Sequence, residues 1–204
     1  MTSNKVLLST TYFGPVQWFQ KLHRAEHVMI EQWESFQKQT YRNRCLIVTT
    51  NGVQALTVPV EKSAECIKDL RISDHGNWRH LHWNALQSAY GESPFFEYYQ
   101  DDIRPFFEKR WTFLLDFNEA IRQKMCELID ITPSVSFSTA YITDPQAIAV
   151  SDFRAAINPK HPAQDDDFDA KTYYQVYQTK HGFLENLSVL DLLFNMGPES
   201  IFYL

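Results

Sequence analysis

Glycine is scarce in this chain of 204 residues: six occur, at positions 14, 52, 76, 91, 182 and 197, and no two lie within ten residues of each other. That spacing excludes a GxGxxG dinucleotide fingerprint and a Walker A loop, which need clustered glycines so that the backbone can approach a phosphate. A GxSxG nucleophile elbow and an HExxH zinc motif are missing as well. Cysteine is sparse too. Cys45, Cys66 and Cys126 are odd in number and unevenly spaced, which argues against a disulfide framework or a zinc knuckle and fits a reducing compartment. Basic residues are outnumbered, 19 Lys and Arg against 25 Asp and Glu, for a net charge of −6. Nucleic-acid binders carry a basic face, so no nucleic-acid partner is expected. No apolar run approaches the roughly 20 residues that span a bilayer, and the one after Lys5 is too brief for a signal peptide. The chain reads as a soluble cytoplasmic protein without a transmembrane segment.

What the sequence has is apolar patterning, enough for a single domain over residues 1–204. Val6 to Tyr12 is short and β-prone, and Gly14-Pro15 ends it. Val16, Phe19 and Leu22 recur at helical spacing, and His27 to Gln32 then reads as a second strand. Strand, tight loop, helix and strand make a βαβ-like unit. It places the loop Tyr12 to Gln17 at the carboxyl end of the first strand, where open α/β sheets bind ligands. Cys45 to Thr50 and Val53 to Val60 are β-branched runs separated by Asn51-Gly52, a strong hairpin signal.

Beyond the hairpin, helices are expected at Asn77–Tyr90, Phe113–Ile129 and Tyr173–Leu184, and a strand at Val135–Ile142. Ser188 with Asp191 resembles a capping box, and the apolar tail Ile201 to Leu204 is expected to pack back on the body. The fold class is α/β: a small mixed sheet from the βαβ-like unit and the hairpin, followed by a helix-rich C-terminal half.

Lys38, Arg42, Asn43 and Arg44 are the sharpest chemical signal. Guanidinium groups bind phosphate or carboxylate through a planar fork, lysine adds a point charge, and asparagine fixes orientation. If the segment is extended, Arg42 and Arg44 share one face. The cluster is then either a site for an anionic small molecule beside Gln17 of the first loop or a solvated edge strand protected by charge. His80 and His82 fall on opposite faces of their helix and cannot share a metal. His82 sits in the apolar stripe and reads as a core histidine, whereas His80 on the polar face is a candidate general acid or base. Asp165, Asp166, Asp167 and Asp169 read as a mobile, solvated acidic loop within Pro159–Asp169. No metal site is expected, and no motif names a cofactor.

The order YFGPVQWFQKL, HVMIEQ, QKQTYRNRCLI, NG, LTVPV, NWRHLHWNALQSAY, SPFFEYY and NLSVLDLLFNMGP resembles the WbqC-like family over essentially the whole chain. The positions carried over are Tyr12, Pro15, Lys38, Asn43, Arg44, Thr57, Pro59 and His80, the two prolines being architectural. Family members often open with a glutamine, proline, aromatic run where this chain has Ser9 to Tyr12, and carry tryptophan where it has Tyr41. The resemblance implies a part in O-antigen-type surface polysaccharide biosynthesis. The corresponding expectation is a transferase acting on a nucleotide sugar or lipid-linked glycan. The alternative is a non-catalytic assembly protein of the same pathway that presents the aromatic segment Phe95–Tyr99.

Overall fold

The computed structural model describes residues 4–61 and 64–204. Strand β1 (Lys5–Ser9) leads through the loop 10–15 into helix α1 (Val16–Arg24), and β2 (His27–Glu31) returns beside β1 in parallel. Val6, Leu7 and Leu8 are all buried, as expected for a strand covered on both faces. Two further parallel strands complete the sheet: β5 (Val135–Phe137) beside β2, and β6 (Ser151–Asp152) beside β1, in the order β5-β2-β1-β6. The chain thus builds outward from β1 through β2 to β5, then crosses to the other side of β1. The order in which strands are added reverses between β1 and β6, while all four strands run parallel with their carboxyl ends along one edge.

The hairpin forms as its turn predicts. Strands β3 (Arg44–Thr49) and β4 (Gly52–Thr57) pair antiparallel, and Gly52 takes φ +103°, which glycine adopts without steric cost. The hairpin is a sheet of its own, separate from the parallel strands. Its β3 edge is held to the C-terminal part of the chain, with Ser188 N donating to Leu46 O at 2.8 Å.

Helix α2 (Trp78–Tyr90), α3 (Phe96–Ile103), α4 (Pro105–Glu108) and α5 (Leu114–Ile129) follow, with α6 (Gln178–His181) and α7 (Val189–Met196) near the end. Two expected elements come out shorter. Val135–Ile142 keeps strand structure only to Phe137, because beyond it Ser138 and Ile142 turn to bind Glu31. Tyr173–Leu184 holds a single helical turn, since Gln175 spends its side chain on the backbone of Leu184 and on Asp191. After the hairpin the chain makes one short turn at Ile67–Asp69; residues 62 and 63 lie outside the described residues.

One core joins the layers. Tyr12 and Phe13 are fully buried among Phe106, Phe107 and Phe117. Ser188 caps α7 by accepting from Leu190 N at 3.3 Å and donates to Phe13 O at 2.8 Å. Asp191 does not close a capping box. It is buried and accepts from Tyr173 Oη at 2.7 Å and Gln175 Nε2 at 2.8 Å. The tail packs back as expected: Leu204 is buried and its carbonyl accepts from Arg24 Nη2 at 3.1 Å.

Two buried titratable groups give opposite pH dependences. Burial raises Asp191 to about 6, partly offset by its hydrogen bonds, so folding favours its protonated form and its contribution weakens as pH rises from about 4 to about 6. Burial lowers His82 to about 4, opposed by a bond to the Thr57 backbone, so its contribution weakens as pH falls from about 6.5 to about 4. The slopes offset one another in the native chain. In Asp191→Asn the opposing slope is removed, and the urea midpoint is expected to fall steadily from pH 6.5 to pH 4 as His82, joined by the likewise lowered His23, becomes protonated on unfolding. A flat profile in that variant would contradict the assignment.

Candidate functional site

Polar groups concentrate at the carboxyl edge of the parallel sheet, beside the reversal between β1 and β6. Ser9 ends β1, Thr10 and Thr11 follow it, and all three are buried. The loop turns sharply: Phe13 takes φ +40°, and a Cβ at Gly14 would stand 2.4 Å from Thr11 Oγ1. Only glycine fits there, and the tight turn carries the chain into α1.

Two arginines converge on this edge. Arg42 is buried, with its Nε donating to Glu34 Oε1 at 2.8 Å, its Nη2 bonded to Glu34 Oε2, and Nη2 also donating to Ser9 Oγ at 2.8 Å. Among the described residues its Nη1 has no hydrogen-bond partner. Arg154, from the turn after β6, donates to Glu31 Oε2 at 3.2 Å, to Ile142 O at 3.0 Å and to Asp152 Oδ2 at 2.8 Å. Glu31 ends β2 with no solvent exposure and also accepts from Ser138 Oγ at 2.6 Å and Trp33 N at 2.9 Å. Ser9, Thr10, Thr11, Tyr41, Arg42 and Arg154 line a crevice whose free space is about that of one water molecule.

A larger groove of about 620 Å³ adjoins it, with Tyr41 on both. Gln17 forms part of its wall. Its backbone N–H donates to Asn186 Oδ1 at 2.9 Å, its Oε1 accepts from Asn186 Nδ2 at 3.0 Å, and its Nε2 donates to Asp165 Oδ2 at 2.8 Å. Lys21, one turn along α1, pairs with Asp165 Oδ1 at 2.7 Å, and both side chains are under a tenth exposed. The expectation of a solvated acidic loop is corrected at this residue: Asp165 fastens segment 158–169 over α1, because a desolvated lysine needs a carboxylate partner.

The expected cationic face does not form. The chain turns through residues 38–42 before β3 begins at Arg44, so strand alternation does not apply to Arg42, and Glu34 draws its guanidinium into the core. Asn43 is buried and donates to Val58 O at 2.7 Å. Arg44 lies on the hairpin and donates through Nε to Thr57 Oγ1 at 3.0 Å. Lys38 is exposed. Tyr12 is buried with its hydroxyl 2.9 Å from His82 Nδ1, a core contact that matches the apolar-stripe reading of His82. His80 lies exposed on α2, accepting from Asn84 Nδ2 at 2.9 Å. Gln17, Arg42 and His80 thus belong to three different cavities.

Four participants were missed in the sequence. Glu31 had a signal, a carboxylate closing an otherwise apolar strand. Glu34, Arg154 and Asp165 had none, because each acquires its role from a partner far along the chain. Among the described residues no group of three or more His, Cys, Asp or Glu could hold a metal ion, and no helix is long and apolar enough to cross a membrane.

Residues 10–203 match the WbqC-like protein family. The chain belongs to that family. It is also similar, at 26% identity over an alignment 223 positions long, to the uncharacterized protein Rv1507c of Mycobacterium tuberculosis, with 97% of this chain and 96% of the relative covered. No solved structure matches. In this WbqC-like protein the family match therefore takes in the loop after β1, Arg42, Arg154 and the segment fastened by Asp165.

Removing one member of a buried ion pair leaves the other desolvated and unpaired, at a cost of about 3–5 kcal/mol. Asp165→Asn keeps the shape and a hydrogen-bond acceptor for Gln17 but strands Lys21. Limited proteolysis is expected to cut this variant within residues 158–169 at least tenfold faster than the native chain, with the core fragments intact. An unchanged cleavage rate would show that Asp165 does not hold the segment.

Proposed function

We propose that this protein acts in surface-polysaccharide biosynthesis as a transferase on a nucleotide sugar or lipid-linked glycan, with the crevice between β1 and β6 as its saccharide site. Membership of the WbqC-like family supports the pathway. The observation that carries the site is the reversal of strand order at β1 and β6, the place where open α/β sheets bind ligands, with two arginines held there by carboxylates.

The chemistry of the lining favours a polyhydroxylated ligand. Arg42 and Arg154 face Glu31, Glu34 and Asp152, so the charges nearly cancel and no strong anion preference arises from them. Hydroxyls of Ser9, Thr10 and Thr11, guanidinium N–H groups and carboxylate oxygens together offer the alternating donors and acceptors that sugar hydroxyls use. Tyr41 adds an aromatic wall shared with the groove beside Gln17. Access requires segment 153–169 to move away, and the Asp165 fastening sets the cost of that movement. In this reading His80, Lys38 and Arg44 take no part in the saccharide site.

The assembly alternative has little support. Within Phe95–Tyr99, Phe96 and Tyr99 are buried and Phe95 packs against Gly197; Tyr98 is the exposed ring.

Calorimetric titration with uridine and thymidine diphosphate sugars tests the proposal in native protein and in Arg154→Ala and Thr10→Val. Binding of at least one sugar nucleotide is expected, weakened tenfold or more by Arg154→Ala and severalfold by Thr10→Val, since a lost charge-assisted hydrogen bond costs about 1.5–3 kcal/mol. Undiminished binding in folded Arg154→Ala, measured with excess pyrophosphate present to fill any separate phosphate site, would refute the site.

A further inference from the structure

The start of α2 borders another cavity, of about 330 Å³. Three arginines meet there, Arg79, Arg104 and Arg110, together with His80 and Glu108, and Asp74 beside them pairs with Arg79 and Arg110. The protein as a whole carries −6, so this local excess of cations runs against its average. Trp83 and Phe107 form an apolar wall.

Arg79 is the unusual member. Its Nη1 donates to Asp74 Oδ1 at 2.7 Å and its guanidinium lies 4.6 Å from the Trp78 ring. Its Nε and Nη2 are buried and, among the described residues, without a hydrogen-bond partner. Those two N–H groups make up the edge through which arginine grips an oxyanion bidentately, and leaving them desolvated and unpaired is costly. The start of α2 adds donors of the same sense. Asn77 provides no side-chain cap, the first turn holds no acidic residue, and the first intrahelical bond runs from Leu81 N to Asn77 O at 3.0 Å. The amides of Trp78, Arg79 and His80 are therefore free at the positive end of a helix of 13 residues.

We propose that this cavity is a binding site for a phosphate ester, with the phosphate between Arg79, Arg104 and Arg110 at the start of α2 and the remainder of the ligand against Trp83 and Phe107. Arg104 now pairs with Glu108 at 2.7 Å, and Arg110 faces Asp74 at 3.4 Å. Both contacts are solvent-exposed, and such pairs are worth little, so a phosphate competes for these guanidinium groups at small cost. A modest turn of the Arg79 guanidinium about its Asp74 contact presents the unpaired edge to the incoming oxygens. The volume exceeds that of a phosphate alone and admits a ring beside it. This site is separate from the crevice at the sheet edge and does not depend on the function proposed for it.

Inorganic pyrophosphate, uridine diphosphate and uridine are the probes, followed by tryptophan fluorescence and calorimetry at two salt concentrations. Pyrophosphate and uridine diphosphate are expected to bind and to weaken with salt, and uridine alone to bind at least tenfold more weakly. The exposed double variant Arg104→Glu/Arg110→Glu should weaken pyrophosphate tenfold or more, and Arg79→Lys, which keeps the charge and loses the fork, severalfold. Arg154→Ala at the sheet edge should leave pyrophosphate affinity unchanged. Absence of pyrophosphate binding, equal affinity in the double variant, or a loss in Arg154→Ala matching that of the double variant would each overturn the proposal.

Discussion

The buried pair of Arg42 and Glu34 is the constraint around which the N-terminal half is arranged. Both charges are removed from water, so neither can be there without the other. Glu34 comes from the segment after β2, Arg42 precedes β3, and the guanidinium also reaches Ser9 at the end of β1. One side chain thus joins the two central parallel strands to the start of the hairpin. Around it the backbone is fixed in turn: Asn118 Nδ2 from α5 donates to the Arg42 carbonyl at 2.8 Å, and Tyr12 N donates to Tyr41 O at 2.9 Å. The loop after β1, the hairpin and α5 hold their relative positions through contacts within one or two residues of Arg42.

Sequence reasoning located the elements whose signals are local. Val16, Phe19 and Leu22 marked α1, Asn51-Gly52 marked the hairpin turn, and the stripe through Trp78 and Leu86 marked α2, because period and turn chemistry are properties of neighbouring residues. It could not see that Arg42 would turn inward. Alternation predicts a shared face for Arg42 and Arg44 only if both are in a strand, and whether residue 42 is in the strand is decided by a carboxylate eight positions earlier. Asp165 shows the same limit from the opposite direction. Among acidic neighbours in a proline-bearing stretch it had the appearance of a solvated side chain, and its burial follows from Lys21 and Gln17, about 144 and 148 residues away.

The arrangement separates two kinds of recognition. At the sheet edge, arginines and carboxylates neutralise each other and the remaining capacity is for hydroxyl-rich groups. At the start of α2, guanidinium groups outnumber carboxylates and the capacity is for an oxyanion. Tyr12 and His82 lie between, hydrogen-bonded to each other and packed among aromatic rings. Because burial holds His82 neutral at physiological pH, the Tyr12–His82 contact itself carries no charge from one region to the other.

The loop after β1 is completed from the other end of the chain. Val16 N donates to Leu187 O at 3.0 Å, Val189 N to Gly14 O at 2.9 Å, and Gln17 meets Asn186 across 169 residues. Contacts of such sequence separation are slow to form. During synthesis, β1, α1 and β2 leave the ribosome early, yet the first turn of α1 lacks its partners until residues 186–189 have followed. The nascent N-terminal third must therefore wait, with Phe13, Trp18 and Phe19 incompletely covered, for the last part of the chain. Truncation at the C-terminus should accordingly be felt first in the loop after β1, at the opposite end of the sequence.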